Sequence, residues 1–117
     1  MRAQVAAGGS ADKGSSIPNS VRGEASLPIA GRPFLLRPSF AALVAAEDEL
    51  GSLFALVERA GDGRLRLAEL ATLFWHCLAE RGDITREAVG EAVVECGLAG
   101  CAAPLRVLLG QILRGRA

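Results

Sequence analysis

Few residues of this 117-residue chain are of the types that catalyse reactions or bind metals. His76 and the three cysteines, Cys77, Cys96 and Cys101, are in number a set that could ligate zinc. Their spacing argues against a metal site, because His76 and Cys77 are adjacent on a predicted helix and no two cysteines form a CxxC pair. We therefore expect no metal, and we expect Cys77 and Cys96 to be small core residues.

The charge balance and the missing motifs narrow the classes of function. Lysine plus arginine and aspartate plus glutamate each total 13, so the net charge is zero, unlike that of a strongly basic nucleic-acid binder. No Ser–His–acid or Cys–His arrangement and no phosphate-binding glycine loop is visible. We expect no enzyme, no cofactor and no nucleic acid as partner. A small helical DNA-binding regulator stays open as an alternative, because four arginines could form a basic surface: Arg32, Arg37, Arg64 and Arg66.

Glu47 is the most unusual charged residue of the chain. On a helical wheel it lies in the middle of an apolar stripe formed by Phe40, Leu43, Val44 and Leu50. A buried carboxylate needs a partner, so one interpretation is an ion pair with Arg37 or Arg32. Two others stay open: Glu47 contacts a partner protein, or the helix is rotated and the carboxylate is solvated. General acid catalysis is not expected, because a lone carboxylate makes no acid–base pair.

Trp75 lies beside the apolar stripe of its predicted helix rather than at the centre of that stripe. Leu73 lies toward the polar side of the same helix, near His76, Glu69 and Glu80. One interpretation is that this helix is central and contacts neighbours on several sides. The other is a partner-binding patch with Trp75 as its anchor, since tryptophan is enriched at the centres of interfaces.

The hydrophobic periodicity predicts an α+β fold that is mainly α. Apolar residues alternate between residues 24 and 37 around a turn at Gly31, which predicts a β-hairpin. From Pro38 the period changes to about 3.6, which predicts about five short helices with the hairpin packed on them. Capping and helix-breaking residues set the expected boundaries: N-caps at Ser39 and at Asp83 or Thr85, helix ends at Gly61, Gly82 and Gly97, and a last helix from Ala103 or Pro104.

Residues 1–20 are rich in Gly, Ser and Ala without periodicity and are predicted to be a disordered tail, which leaves one domain over residues 21–117. The apolar run at residues 5–7 is shorter than the roughly 7–15 residues that a signal peptide needs. Together with an odd number of cysteines, this favours a cytoplasmic protein. The uncharged stretch at residues 70–79 is shorter than the about 18 residues of a membrane span, so no membrane partner is expected.

The segment 22–51 carries a family resemblance. It reads RGEASLPIAGRPFLLRPSFAALVAAEDELG, with an RGE sequence, a strand, GR, a second strand, and then LRPSF and an acidic residue on the first helix. In this order it resembles the short tail proteins of bacterial gene transfer agents and related tailed phages, which are classed with tail assembly chaperones. The later segments at 64–74 and 84–98 are similar to the family in length and pattern. The matching residues are Arg22, Gly23, Glu24, Gly31, Arg32, 36–40, Ala42, Leu43 and Glu47.

The resemblance implies a non-enzymatic protein that assists tail assembly in the bacterial cytoplasm. Its expected partner is the tape-measure protein or another tail protein, whose apolar helical surface it would shield while the tube polymerises. The alternative is a permanent structural component of the particle, because the family is also labelled a tail tube protein. Two short strands favour the chaperone, and exposed strand edges leave a homo-oligomer open. The candidate partner-binding residues are Arg37, Phe40, Glu47, Leu73 and Trp75.

Overall fold

The computed structural model describes residues 24–115. They form a two-stranded antiparallel hairpin followed by four helices, so the predicted α+β, mainly α class is confirmed. The predicted tail at residues 1–20 lies outside the described residues. The elements in chain order are β1 (Ala25–Ile29), β2 (Arg32–Leu36), α1 (Phe40–Leu50), α2 (Leu53–Gly61), α3 (Leu67–Cys77) and α4 (Arg86–Arg114).

The hairpin is closed by a tight turn at Ala30 and Gly31, whose φ angles are 52° and 81°. Positive φ at both central residues defines the type I′ turn, whose twist matches that of the two paired strands. One face of β1 packs against α4, so the hairpin is part of the core rather than an appendage. The buried residues of that face alternate along the strand: Ala25, Leu27 and Ile29.

The outer edge of β2 is partly covered by the chain that follows α3. The N–H of Ala79 donates to the carbonyl oxygen of Leu35 at 3.0 Å, and Leu36 forms a β-bridge with Leu78. The prediction that α3 continues to Gly82 was therefore wrong. The chain leaves the helix earlier because its backbone groups pair with the open edge of the strand.

The core is centred on α3, which contacts α1 and α4. The interpretation of α3 as a central helix is therefore confirmed. Placing Leu73 on the polar side of this helix was wrong, because Leu73 is 0% exposed. A helix packed between two neighbours buries more than one stripe of its surface. The buried residues of α3 are Leu70, Leu73, Phe74 and Cys77.

The orientation of α1 differs from the prediction. Its buried residue is Ala46, whereas Phe40 is 85% exposed and Val44 is 41% exposed. Leu43 and Leu50 are partly buried at the border of the core. The face of α1 that carries Ala46 therefore points into the core, and Phe40 and Val44 of the predicted apolar stripe face outward.

The long helix α4 contains a break at Gly97, which has φ 81° and ψ 156°. Only glycine adopts this backbone conformation readily. Two helical segments therefore meet where the sequence predicted one helix to end. The predicted start at Ala103 or Pro104 was wrong, because Pro104 lies inside the helix.

By length and composition alone α4 could cross a membrane, since its apolar window has a mean hydropathy of 1.6 and is 22% buried. The expectation of no membrane partner rested on the uncharged stretch at residues 70–79 and did not consider α4. It overlooked that residues 96–113 carry one charged residue, Arg106. One such helix is weak evidence for a membrane span, because the core helix of a folded domain can pass the same test. Within the described fold α4 supplies core residues: Val89, Ala92, Val93, Cys101 and Leu108.

Candidate functional site

An open groove with a volume of about 230 Å³ lies between α1, α2 and the C-terminal end of α4. Two of its side chains are largely exposed, Phe54 at 78% and Leu113 at 56%. Apolar side chains grouped on a surface commonly mark a binding site for another molecule. This feature, the apolar groove, is lined by Leu43, Glu47, Leu53, Phe54, Val57, Ile112 and Leu113.

Phe40 and Val44 extend the apolar surface along α1 beyond the groove. Side chains four residues apart lie on the same face of a helix, so Phe40 and Val44 form a row beside Leu43 and Glu47. From Phe40 to Glu47 this row covers about two helical turns, or roughly 10 Å along the axis. The groove and this row together offer a surface long enough for a short helix of another protein.

The Glu47 carboxylate connects α1 to the start of α2. Its Oε2 accepts a hydrogen bond from the backbone N–H of Leu53 at 3.2 Å. Leu53 is the first residue of α2, where backbone N–H groups have no partner inside the helix. The predicted ion pair of Glu47 with Arg37 or Arg32 is therefore wrong.

Arg37 instead donates to the buried carboxylate of Glu24 at 2.7 Å, because the hairpin register places residue 24 next to residue 37.

A second polar cluster joins α1, α3 and α4 through the carboxylate of Glu49. The Arg86 guanidinium donates two hydrogen bonds to it, at 2.7 and 2.6 Å, and Nε2 of His76 lies 2.7 Å from Oε1. These hydrogen bonds, with Arg86 contributing most, lower the pKa of Glu49 from 4.5 to about 2. We call Glu49, His76 and Arg86 the carboxylate clasp. The clasp links three helices through the side chain of one residue.

Trp75 lies beside the carboxylate clasp and is half-buried. The guanidinium carbon of Arg81 is 4.4 Å from the centre of its ring, and that of Arg86 is 5.6 Å away. Both distances suit cation–π contacts. A partner that used Trp75 as an anchor would therefore have to displace at least one arginine.

The structure does not bring the five candidate residues together in one surface. Glu47 lines the apolar groove, Phe40 lies on α1 beyond it, and Trp75 lies beside the clasp. Arg37 lines a different groove, with a volume of about 510 Å³, along the outer edge of β2. Leu73 is fully buried, so its assignment to a partner-binding surface is corrected to a core position.

Sequence reasoning missed most of the residues that line the apolar groove. Phe54 is the clearest case, because it lies outside the stripe of Leu53, Leu56 and Val57 that a helical wheel assigns to the core. A large aromatic residue on the polar side of a short amphipathic helix is a signal that could have found the site. Ile112 and Leu113 carried no such signal, because only the folded chain brings α4 beside α2.

The cysteines are placed for packing rather than for reaction. Cys77 and Cys101 are fully buried, and burial raises the pKa of their thiols to about 12 and about 11. Cys96 lies close to Cys101, which adds to the second of these shifts, and is itself half-buried. Within residues 24–115, no three His, Cys, Asp or Glu side chains are grouped in a way that could hold a metal ion.

The chain is similar to a known protein family. A family model described as phage tail tube protein, GTA-gp10, matches residues 22–115. The match includes the hairpin, all four described helices, the apolar groove and the carboxylate clasp. Neither the curated proteins nor the solved structures that were compared with the chain gave a match.

Proposed function

We propose that this chain, which belongs to the phage tail tube protein (GTA-gp10) family, acts during tail assembly by binding an apolar helical surface of another tail protein. The partner that fits this role is the tape-measure protein, a long chain whose apolar surface needs cover until the tube has formed around it. The proposed action is reversible, non-enzymatic and cytoplasmic. The chain would leave before the particle is complete.

The observation that carries this proposal is the apolar groove together with the exposed aromatic side chains in and beside it. Phe40 is 85% exposed and Phe54 is 78% exposed, and keeping such side chains in water is unfavourable unless a partner covers them. A surface of this kind binds the apolar face of a helix without any reaction chemistry. It therefore supports a binding protein.

A permanent tube component is the second candidate, and the family description favours it directly. Against it stands the small amount of sheet, because a ring closed by sheets needs more and longer strands than the described residues contain. β1 and β2 have 5 residues each and form a two-stranded sheet. The helices, which carry the groove, make up most of the described chain.

Co-expression with the tape-measure protein encoded nearby, followed by co-purification and analysis of finished particles, tests the proposal. We expect a soluble complex with the tape-measure protein and no copies of this chain in purified particles. A stoichiometric amount in particles would contradict the chaperone role and support the tube component. Salt-dependent binding to duplex DNA without a tail-protein complex would support a regulator instead.

A further inference from the structure

Three helices contribute apolar side chains to the lining of the apolar groove. Leu43 comes from α1, Phe54 from α2 and Leu113 from α4, and the exposed fractions of Phe54 and Leu113 are 78% and 56%. Neither the hairpin nor α3 contributes to the lining of the apolar groove. A surface formed between helices, about two turns long, has the shape that accepts a helix by its apolar residues at i, i+3 or i+4, and i+7.

The charge of the groove limits what can bind there. Glu47 is the charged residue of its lining, and Glu58, also exposed, lies one turn after Phe54 on α2. Arg114 follows Leu113 in sequence, but it is not among the residues that line the groove. The groove is apolar at its centre and negative at its border.

The negative charge at the border of the groove favours a positively charged partner, because complementary charges favour the correct partner and like charges disfavour the wrong one. A second copy of this chain bound about a two-fold axis would place the same groove opposite itself, with the two Glu47 carboxylates on facing surfaces. The occupant that fits is a foreign helix whose apolar face is flanked by basic residues.

We propose that the apolar groove binds an amphipathic helix of a tail protein, with lysine or arginine residues beside the apolar face of that helix. The apolar side chains of the helix cover Phe54 and Leu113, and one basic side chain lies next to Glu47. The identity of the occupant as a tail protein rests on the function proposed above. The chemistry of the groove does not depend on that identity.

Two synthetic amphipathic peptides of about 18 residues test the charge preference. Both have the same leucine and alanine face, and the flanking positions are lysine in one and glutamate in the other. Binding of each labelled peptide to the full chain is measured by fluorescence anisotropy at low salt. We expect the lysine peptide to bind about tenfold more tightly or better, and we expect added salt to reduce the difference.

Three variants locate the bound peptide. Phe54→Ser is expected to weaken binding of the lysine peptide about tenfold or more, because exposed aromatic anchors dominate interfaces. Val94→Ser is the matched control, since Val94 is also apolar, is 65% exposed and does not line the groove; binding should change less than about twofold. Glu47→Gln keeps an oxygen that can accept from Leu53, and it should reduce the preference for lysine over glutamate to within about threefold.

Several results would overturn the proposal. Equal binding of the two peptides would show that the charge at the border of the groove does not select the partner. An equal loss of affinity for the lysine peptide in Val94→Ser and Phe54→Ser would show that the peptide does not bind in the groove. A dimer that dissociates in Phe54→Ser, seen by sedimentation, would make the groove an interface between copies. Thermal unfolding of each variant confirms that the fold is intact.

The failure of this inference can be distinguished from the failure of the proposed function. If the lysine peptide binds the groove but the tape-measure protein does not co-purify, the groove is a binding site for a basic amphipathic helix and the proposed partner is wrong. If the tape-measure protein co-purifies equally well with the Phe54→Ser variant, the proposed function stands and the groove is not its binding site.

Discussion

Glu49 holds three helices through one exposed carboxylate, so its protonation is expected to change the stability of the fold. The pKa of Glu49 is lowered from 4.5 to about 2, first by the Arg86 hydrogen bonds and then by His76. The stabilisation is therefore complete above about pH 4.5 and is lost as the pH falls toward 2. We predict that Glu49→Gln lowers the free energy of unfolding at neutral pH and has little effect near pH 2, as measured by urea unfolding.

The control for this prediction is Asp48→Asn, because Asp48 is an exposed carboxylate on the same helix that is not part of the clasp. Fluorescence of Trp75, the chain's one tryptophan, reports unfolding from beside the clasp. Asp48→Asn should leave the acid dependence of the wild-type chain in place. If it removes the dependence as fully as Glu49→Gln does, the clasp is not the cause.

The three thiols differ in accessibility, and this predicts their reactivity. Cys77 and Cys101 are 0% exposed, and their raised pKa values of about 12 and about 11 leave little reactive thiolate. We predict that a maleimide at about pH 8 labels half-buried Cys96 at least tenfold faster than either of the others in the folded chain. Peptide mapping by mass spectrometry measures the three rates. Fast labelling of Cys77 would mean that α3 opens readily, contrary to its central position.

At the scale of the helices, Gly97 is required by the backbone of α4. With φ 81° and ψ 156° it occupies a region that other residues avoid at a cost of about 1–3 kcal/mol. We predict that Gly97→Ala lowers the free energy of unfolding by this amount. Gly90→Ala in the same helix should instead raise it by about 0.5–1 kcal/mol, because a Cβ there meets nothing within 4 Å. Calorimetry of both variants tests the pair, and destabilisation of equal size at both positions would contradict the argument.

The starts of α1 and α4 could be assigned from local chemistry, whereas the end of α3 could not. Ser39 accepts the N–H of Ala42 at 3.2 Å and Thr85 accepts the N–H of Ala88 at 3.1 Å, as N-capping residues do. These bonds join residues 3 apart in sequence. The end of α3 depends on the bridge between Leu36 and Leu78, which exists only once the hairpin lies beside the helix.

At the scale of the whole molecule, the sequence could reveal an apolar stripe but not what covers it. The stripe through Phe40 and Val44 was correctly found on one face of α1, but its orientation was wrong, because the residue of that helix buried in the core is Ala46. The partner of Arg37 was also missed, since Glu24 becomes its neighbour only through the hairpin register. Whether an apolar residue lies in the core or on the surface therefore depends on its contacts with other elements of the fold, which a helical wheel does not show.

The division between core and groove can be tested by comparing two large-to-small substitutions. Leu73 is 0% exposed and Phe54 is 78% exposed, so Leu73→Ala is expected to cost about 2–5 kcal/mol of unfolding free energy, and Phe54→Ser less than about 0.5 kcal/mol. Binding of the lysine-flanked peptide should be weakened more by Phe54→Ser than by Leu73→Ala, when it is measured under conditions in which both variants are folded. If Phe54→Ser destabilises the chain as much as Leu73→Ala, Phe54 is part of the core in solution. The apolar groove would then be closed by the chain itself, and the partner would bind elsewhere.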